Sequence, residues 1–253
     1  MHAAPVILVF AAQETEVRAC FGGGAIGPSR DVAGFPVYET AGLAVCQTGL
    51  GRRSRNAATA VLGHFKPEVV LSVGTAGGLN LDLSAGQLIA CSHVHHAGAR
   101  GAPEETPAFS DERLMTLALE VAGGAGIEAR IGSAVTVDEV VWTSSGKADL
   151  RAWMEHDVVE MESYWIGKAA AAADLPYLAL RVVTDQAADE LVETPAISAD
   201  GTFDVNAFQA WIKDHPEYIP MFAQQAERQR LGLGTLARFL SAFLPRLAAS
   251  RVA

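Results

Sequence analysis

The amino-acid sequence predicts a three-layer α/β/α domain with a mixed, twisted central sheet. In the first half of the chain, short apolar runs typical of strands alternate with segments typical of helices, an order that indicates a largely parallel sheet. The 253 residues, half of them apolar, suffice to bury one large core. We therefore predict a single domain over residues 1–253, with residues 200–253 as a C-terminal helical extension.

The first half of the chain begins with a buried strand, and a polar turn separates that strand from a short helix. Gly49-Leu50-Gly51 opens the second helix, and Pro67 ends it. The predicted elements in order are strand Val6–Phe10, helix Glu14–Phe21, a hairpin of Phe35–Glu39 and Leu43–Gln47, helix Arg53–His64, and strand Val69–Val73.

A glycine-rich run, Gly74 to Leu79, follows the last of these strands and is predicted to be a turn that lets backbone approach a ligand. In open α/β sheets, ligands bind at the carboxyl ends of strands. Strand Gln87–Ser92 comes next. The polar stretch His93–Pro107 is too long for a simple connector and is predicted to be a lid or a subunit contact.

The second half of the chain continues with helices and strands, and its strands end in acidic residues. Asp111 is a predicted N-cap. The predicted elements are a helix to about Ala122, strand Arg130–Val137, helix Ser144–Trp153, an Ala-rich helix ending near Ala173, strand Tyr177–Val183, and helices at about Phe203–Asp214 and Ile219–Leu244. Glu162 and Asp185 are thereby expected at one edge of the sheet.

Composition excludes several classes of function. A formal charge of −10 and a pI of about 5.1 give no basic surface for nucleic acid. The three cysteines have no paired spacing, which favours a reducing compartment. The chain shows neither a signal peptide nor an apolar run long enough for a membrane span. We therefore expect a cytoplasmic protein that acts on a small molecule.

Two patterns that suggest cofactors are incomplete. Gly49-Leu50-Gly51 lacks the third glycine and the later acidic residue of a dinucleotide site, so NAD is not expected. The arginines that follow are predicted to lie at the surface or at a subunit contact, and a phosphate-binding role for one of them stays open. The histidines at 93, 95 and 96 lack accompanying Cys, Asp or Glu ligands, so no metal site is predicted.

Four ordered pieces of the sequence together resemble the purine nucleoside phosphorylase and uridine phosphorylase superfamily, and within it the methylthioadenosine and S-adenosylhomocysteine nucleosidase branch. The resemblance covers roughly Val6 to Asp189. Each piece alone is weak, because Thr184-Asp185 could be an ordinary turn and Met161-Glu162 an ordinary first helical turn. The pieces are Ala12 to Val17, Gly74 to Leu79, Val159 to Ser163, and Arg181 to Asp185.

The resemblance implies a reaction that passes through a cationic, oxocarbenium-like sugar while negative charge develops on the leaving purine. Asp185 is then the general acid that protonates N7, in a buried position where desolvation favours its protonated form. Glu162 is expected to accept hydrogen bonds from the ribose hydroxyls, with Met161 packed against the sugar, and Glu16 is expected to activate water. Further substrate contacts are implied for Thr75, Gly77, Glu160, Val140, Val141 and Thr184.

The resemblance implies no metal and no organic cofactor, and it implies a homodimer or larger homo-oligomer. Val140 stands where the nucleosidases usually place an aromatic ring under the purine, whereas Asp185 favours 6-amino purines. Water is favoured over phosphate as the nucleophile because Glu16 would repel a phosphate anion. The longer C-terminal part resembles the hopanoid-associated phosphorylases, which act on an adenosyl group carrying a 5′ lipid. The alternative reaction is therefore a phosphorylase of that kind, with phosphate as the co-substrate.

Two further hypotheses remain from the sequence. A non-catalytic nucleoside-binding or storage protein could use the same fold, although the joint presence of Glu16, Glu162 and Asp185 argues against it. A flavodoxin-like or dinucleotide-binding protein is the second α/β alternative, which tight binding of a flavin or NAD would support.

Overall fold

The computed structural model describes residues 7–98, 106–197 and 204–250. Its strands and helices follow one another as β1 (Ile7–Ala11), α1 (Glu14–Cys20), β2 (Arg30–Val32), β3 (Phe35–Thr40), β4 (Leu43–Gln47), α2 (Arg53–His64), β5 (Val69–Gly78), β6 (Leu88–His96), β7 (Ala108–Phe109), α3 (Glu112–Gly124), β8 (Ala129–Thr136), α4 (Ser144–Met154), β9 (Val158–Glu160), α5 (Ser163–Ala172), β10 (Tyr177–Asp185), α6 (Val205–Asp214) and α7 (Ile219–Ser250). A 3₁₀ turn, Pro216–Tyr218, separates the last two helices.

The central sheet is mixed, as the sequence predicts. Strand β1 pairs in parallel with β4 and β5, and β5 pairs in parallel with β10. Antiparallel pairs join β3 to β4, β5 to β9 and β6 to β10. Because β8 pairs with both β6 and β9, strands β5, β9, β8, β6 and β10 close into a ring. This closure gathers several strand ends around one opening.

Two apolar cores cover opposite faces of the sheet. Along β1, Ile7 and Val9 join one core while Leu8 and Phe10 join the other, as the alternation of side chains along a strand requires. Helices α1, α3 and α7 pack on the first face, and α2 and α5 pack on the second. The three-layer arrangement is therefore confirmed. The cysteines are buried and free, as small core residues are expected to be.

One correction to the predicted elements concerns β5. The run from Gly74 to Leu79 was expected to be a turn, but β5 continues to Gly78 and pairs with β10 through Gly77. The prediction of a turn was wrong because these glycines let the side chains of Glu16 and Asp185 lie close to the strand and do not change the direction of the chain. Likewise β6 continues to His96, so His93, His95 and His96 lie on a strand and not in a loop.

The helices agree more closely with the sequence. Helix α2 has the predicted bounds, and the Asp111 side chain caps α3 by accepting hydrogen bonds from the N–H groups of Arg113 and Leu114. Within the described ranges, no helix combines the length and the apolar character needed to cross a membrane. Some predicted features lie outside the described residues, namely Val6, residues 99–105 of the expected lid, and residues 200–203 of the expected C-terminal extension, where Phe203 is the predicted start of a helix.

Candidate active site

A cavity of about 590 Å³ opens at the ends of β5, β9 and β10 and is closed on one side by α7. The sheet supplies polar groups at its floor, and α7 and the segment after β8 supply apolar walls. All ten residues that the sequence singled out line this cavity: Glu16, Thr75, Gly77, Val140, Val141, Glu160, Met161, Glu162, Thr184 and Asp185.

The Glu16 carboxylate is held almost entirely by backbone N–H groups. One oxygen accepts from Ala12 N at 2.9 Å and from Gln13 N at 3.1 Å, while the other accepts from Thr75 N at 2.9 Å. The Thr75 hydroxyl lies 3.3 Å from the same oxygen. Glu16 stands in the first turn of α1. Its partners come from the segment between β1 and α1 and from β5. The carboxylate therefore has one position rather than several rotamers.

Two glycines of β5 make room for catalytic carboxylates. A Cβ atom at Gly74 would stand 2.7 Å from a Glu16 carboxylate oxygen. A Cβ atom at Gly77 would stand 2.8 Å from a carboxylate oxygen of Asp185. Neither contact is compatible with a side chain, so the glycine run brings the strand close to side chains of this protein.

Glu160 is a structural anchor at the floor of the cavity. Arg181 donates to one of its carboxylate oxygens at 2.6 and 3.2 Å, and the backbone N–H groups of Glu162 and Ser163 donate to the same oxygen. The Thr136 hydroxyl bonds the other oxygen. Although desolvation opposes ionisation, Arg181 holds the pKa of Glu160 below its usual value. Its bonds to protein groups suit a positioning role better than the substrate contact expected from the sequence.

Glu162 lies two residues from Glu160 but in a different electrostatic environment. Its carboxylate accepts one hydrogen bond, from Gly51 N at 3.0 Å, and its second oxygen lies 3.7 Å from Arg181. Desolvation and the neighbouring Glu160 raise the pKa of Glu162 to about 8. Gly49-Leu50-Gly51, which resembles part of a nucleotide loop in sequence, thus supplies a backbone donor to this carboxylate.

Asp185 at the end of β10 is ion-paired with a lysine that the sequence did not single out. The Lys147 ammonium lies 2.6 Å from one carboxylate oxygen, and the Thr184 hydroxyl donates to the other at 3.2 Å. The sequence suggested that desolvation alone would control this acid. The structure adds a charged partner, so Asp185 occupies a polar and fully defined position.

Lys147 is fully buried in α4. Its ammonium also donates to the carbonyl oxygens of Gln186 at 2.8 Å and Asp189 at 3.1 Å. These bonds tie α4 to the loop that follows β10. In the sequence, Lys147 is one polar residue of an ordinary amphipathic helix, and only its hydrophilic identity at a core-facing position could have revealed it.

The far end of the cavity is mostly apolar and aromatic. Val140 and Val141 line it, as expected for a base pocket, and Trp142 and Phe222 contribute aromatic rings to its wall. The backbone N–H of Leu191 bonds the carbonyl of Trp142 at 2.8 Å, which fixes this segment. Val140 has no aromatic ring, and the aromatic surface of the cavity wall comes instead from Trp142 and from Phe222 of α7.

The arginines provide no free cation on the cavity wall. Arg228 is the arginine of the described residues that lines the cavity, and it is ion-paired with Asp189. Arg52 pairs with Asp138 at 2.8 Å outside the cavity. The arginines near the start of α2 are exposed, as the sequence predicts: Arg52, Arg53 and Arg55.

Comparisons with known proteins identify the family of this chain. Residues 35–214 match the model of the phosphorylase superfamily. A 5′-methylthioadenosine/S-adenosylhomocysteine nucleosidase of Glaesserella parasuis is 28% identical over 202 residues, which cover 72% of this chain and 86% of the relative. An aminodeoxyfutalosine nucleosidase of Campylobacter jejuni is 28% identical over 167 residues, which cover 62% and 73%.

Solved structures show the same fold. A Helicobacter pylori 5′-methylthioadenosine/S-adenosylhomocysteine nucleosidase aligns with a TM-score of 0.73 at 18% identity, over 96% of this chain and 99% of the other. A futalosine hydrolase of the same species aligns with a TM-score of 0.71 at 19% identity, over 97% of this chain and all of the other. On the family match over most of its length, the chain belongs to the phosphorylase superfamily.

Proposed function

We propose that the protein hydrolyses the N-glycosidic bond of an adenine nucleoside, with release of free adenine. The observation that carries the proposal is the arrangement of Glu16, Glu162 and Asp185 around one cavity that is large enough for a nucleoside. The relatives named as 5′-methylthioadenosine/S-adenosylhomocysteine and aminodeoxyfutalosine nucleosidases support this reaction class.

In this mechanism Asp185 takes up a proton from solvent before each turnover and donates that proton to N7 of the leaving base. Loss of that proton leaves a carboxylate, which the Lys147 ammonium at 2.6 Å stabilises as it forms. Thr184 keeps the second carboxylate oxygen in place. Lys147 thus acts through Asp185 and is a positioning residue rather than the acid itself.

Glu162 and Met161 hold the ribose. The Glu162 carboxylate accepts hydrogen bonds from the sugar hydroxyls, and these bonds strengthen as positive charge builds on the ring. The cost of burying this charge is visible in its raised pKa of about 8. Glu160, held by Arg181, fixes the turn that carries Glu162.

Glu16 orients the nucleophilic water and accepts its proton. Its hydrogen bonds from Ala12, Gln13 and Thr75 keep the carboxylate directed toward the cavity. Water is favoured over phosphate because the Glu16 carboxylate borders the nucleophile space. A phosphate dianion there would be repelled by this carboxylate.

The proposed reaction uses neither a metal nor an organic cofactor, since a carboxyl group supplies the proton and a carboxylate activates water. We also propose that the protein forms a homodimer or larger homo-oligomer. The exposed apolar residues Phe109 and Ile131 support this, because such surface favours association. Sedimentation at micromolar concentration tests it, and a monomeric mass would contradict it.

The decisive experiment is release of adenine from 5′-methylthioadenosine, S-adenosylhomocysteine, 5′-deoxyadenosine and adenosine, each with and without phosphate. Release in phosphate-free buffer supports hydrolysis and ranks the 5′ substituents. Strict dependence on phosphate, with a pentose 1-phosphate product, would replace this proposal by a phosphorylase, including one for an adenosyl substrate with a 5′ lipid. Binding without turnover under either condition would favour a nucleoside-binding protein.

A further inference from the structure

Three histidines converge outside the cavity described above. His93 and His95 project from the same face of β6, and His156 stands just before β9. One ring nitrogen of each can be chosen so that all three lie within 4.8 Å of one another. Nδ1 of His95 and Nε2 of His156 are 3.0 Å apart. We call these three residues the three-histidine cluster, and among the described residues none of its rings lines the cavity.

The sequence suggested a different set. His96, the third histidine of the run, lies on the opposite face of β6, where its ring stacks against Tyr164 and lies 3.3 Å from Asp138. His156 is 61 positions from His95 and joins the cluster only through the pairing of β6, β8 and β9. The absence of ligand spacing in the sequence therefore did not exclude a metal site.

The cluster is buried at its centre. The His156 ring belongs to a residue that is 3% exposed, and its Nδ1 has no hydrogen-bond partner among the described residues. Burial first, and the neighbouring His95 and His93 next, lower the pKa of His156 to about 4. Burial also lowers the pKa of His93 and of His95. A neutral imidazole is the form that binds metal ions.

A neighbouring serine selects the nitrogen that His93 presents. The Ser92 hydroxyl donates to the carbonyl of Gly132 at 3.0 Å, so its oxygen can accept from Nδ1 of His93, also at 3.0 Å. With its proton on Nδ1, His93 has a free electron pair on Nε2. Ligating histidines are commonly fixed through their second nitrogen in this manner.

The charge of Asp157 faces the same region. Asp157 accepts hydrogen bonds from Asn80, Ser133 and Arg130, and its charge acts on His156 and His93. A carboxylate held next to neutral imidazoles favours a cation among them. Arg151 fixes the segment further by donating to the carbonyl of His156 at 2.6 Å.

We propose that His93, His95 and His156 together bind one divalent transition-metal ion of the Zn²⁺ type, with a fourth position open to water. Tetrahedral Zn²⁺ with nitrogen ligands needs ring nitrogens about 3.4 Å apart. The closest pair, at 3.0 Å, has to separate by a few tenths of an ångström, and a pair as far apart as 4.8 Å has to approach. Rotation of the part-exposed His93 and His95 rings provides both movements. Without the ion, His95 and His156 share one proton between Nδ1 of His95 and Nε2 of His156. When the ion binds, this proton moves to the other nitrogen of the ring that carries it, so all three ligands stay neutral.

The ion would connect β6 with the segment between α4 and β9. Its expected effect is on the stability of this edge of the ring of strands, because the ligands come from segments that are distant in sequence. Binding of the ion does not depend on the proposed hydrolysis, and it is measured without an assay of enzyme activity.

The test uses the untagged, full-length protein after removal of metal with EDTA. Calorimetric titration with ZnCl₂ and, separately, NiCl₂ is expected to give one equivalent bound at micromolar or lower Kd. Zn²⁺ is expected to raise Tm, and cobalt-loaded protein is expected to show the visible absorption of a tetrahedral site. His93→Ala and His95→Ala are expected to weaken binding by tenfold or more. Both residues are partly exposed, so these variants should fold.

The matched control is His215→Ala, which removes a part-exposed histidine on another part of the chain. It should bind Zn²⁺ like the original protein. Absence of stoichiometric binding in the original protein would overturn the proposal, as would unchanged affinity in His93→Ala and His95→Ala. Equal loss in His215→Ala would show nonspecific binding and would also overturn it.

Discussion

The two ends of the cavity hold their carboxylates by different means. At the nucleophile end, Glu16 receives three backbone N–H groups, and Glu162 receives a fourth from Gly51. At the base end, Asp185 is held by two side chains, the Lys147 ammonium and the Thr184 hydroxyl. Backbone donors follow from the fold, whereas side-chain donors depend on single residues.

This difference predicts which end of the cavity tolerates amino-acid substitutions. Substitution of a neighbour leaves the backbone donors around Glu16 in place, so that end is expected to resist change. The base end relies on Lys147, Trp142 and α7, which come from separate parts of the chain. Substrate preference is therefore expected to be adjustable at the base end with little effect on the nucleophile end.

The largest expected effect is that of Asp185→Asn. An amide has no acidic proton for N7, so kcat for adenine release should fall by about 10³-fold, within the range that general acids contribute. Steady-state release of adenine measures the loss, and circular dichroism reports the fold. Asp138→Asn, which changes a surface carboxylate paired with Arg52, is the control and should retain activity. Near-normal turnover of Asp185→Asn would contradict the assignment.

At the nucleophile end, Glu16→Gln should lower kcat by about 10²-fold. The amide NH₂ cannot accept from backbone N–H groups, and a neutral amide is a poor base for water. The matched control is Glu14→Gln in the same helix, where the native side chain is exposed and bonded to Arg18. If both variants lose activity equally, the role of Glu16 is only structural.

Glu162→Gln should lower kcat/KM by about tenfold to 10²-fold and should remove a pH dependence. The pKa of Glu162 is about 8, so the carboxylate forms as pH rises through that value, and kcat/KM of the original protein should rise with it. A pH profile from 6 to 9 tests this. Persistence of the rise in Glu162→Gln would assign it to another group.

The same pKa predicts an effect on stability. The folded-state pKa lies above the ordinary value of 4.5, so this group's contribution to the free energy of unfolding is lost as pH rises from about 4.5 to 8. Glu162→Gln should therefore have a higher Tm than the original protein at pH 8.5. Glu160→Gln should have a lower Tm, because Arg181 loses its buried partner.

Lys147→Met tests the base end with a smaller expected loss of activity than Asp185→Asn. It should lower kcat by roughly tenfold with little change in KM, because the carboxylate left by proton transfer loses its ammonium. The split between kcat and KM separates this from a loss of binding. Lys168→Met replaces a lysine bonded at the surface to Thr106 and is the control. A changed KM with unchanged kcat would contradict the positioning role.

The smallest effect is expected for Trp142→Ala, a raised KM of about fivefold with nearly unchanged kcat. Aromatic contacts of this kind contribute about 0.5–1.5 kcal/mol beyond the area they bury. Trp153→Ala, which removes a tryptophan outside the cavity wall, should leave KM unchanged. No difference between the two variants would show that Trp142 does not contact the base.

Most of the fold followed from local patterns. The hairpin β3–β4 and helix α2 begin at their predicted residues, and Asp111 caps α3 as predicted. Alternation, helical period and capping side chains are local properties of the chain. The run from Gly74 was misjudged because glycine permits both a turn and a crowded strand, and the carboxylates that crowd it come from elsewhere in the sequence.

By itself, the sequence determined the mixed α/β architecture and the presence of Glu16, Glu162 and Asp185, because apolar periodicity and short motifs are encoded in neighbouring residues. The tertiary structure alone decided the separate roles of Glu160 and Glu162, the pairing of Lys147 with Asp185, and the meeting of His93, His95 and His156. The physical reason is that charge, desolvation and hydrogen bonding depend on distances in space, and the strand order that sets those distances has no local signature.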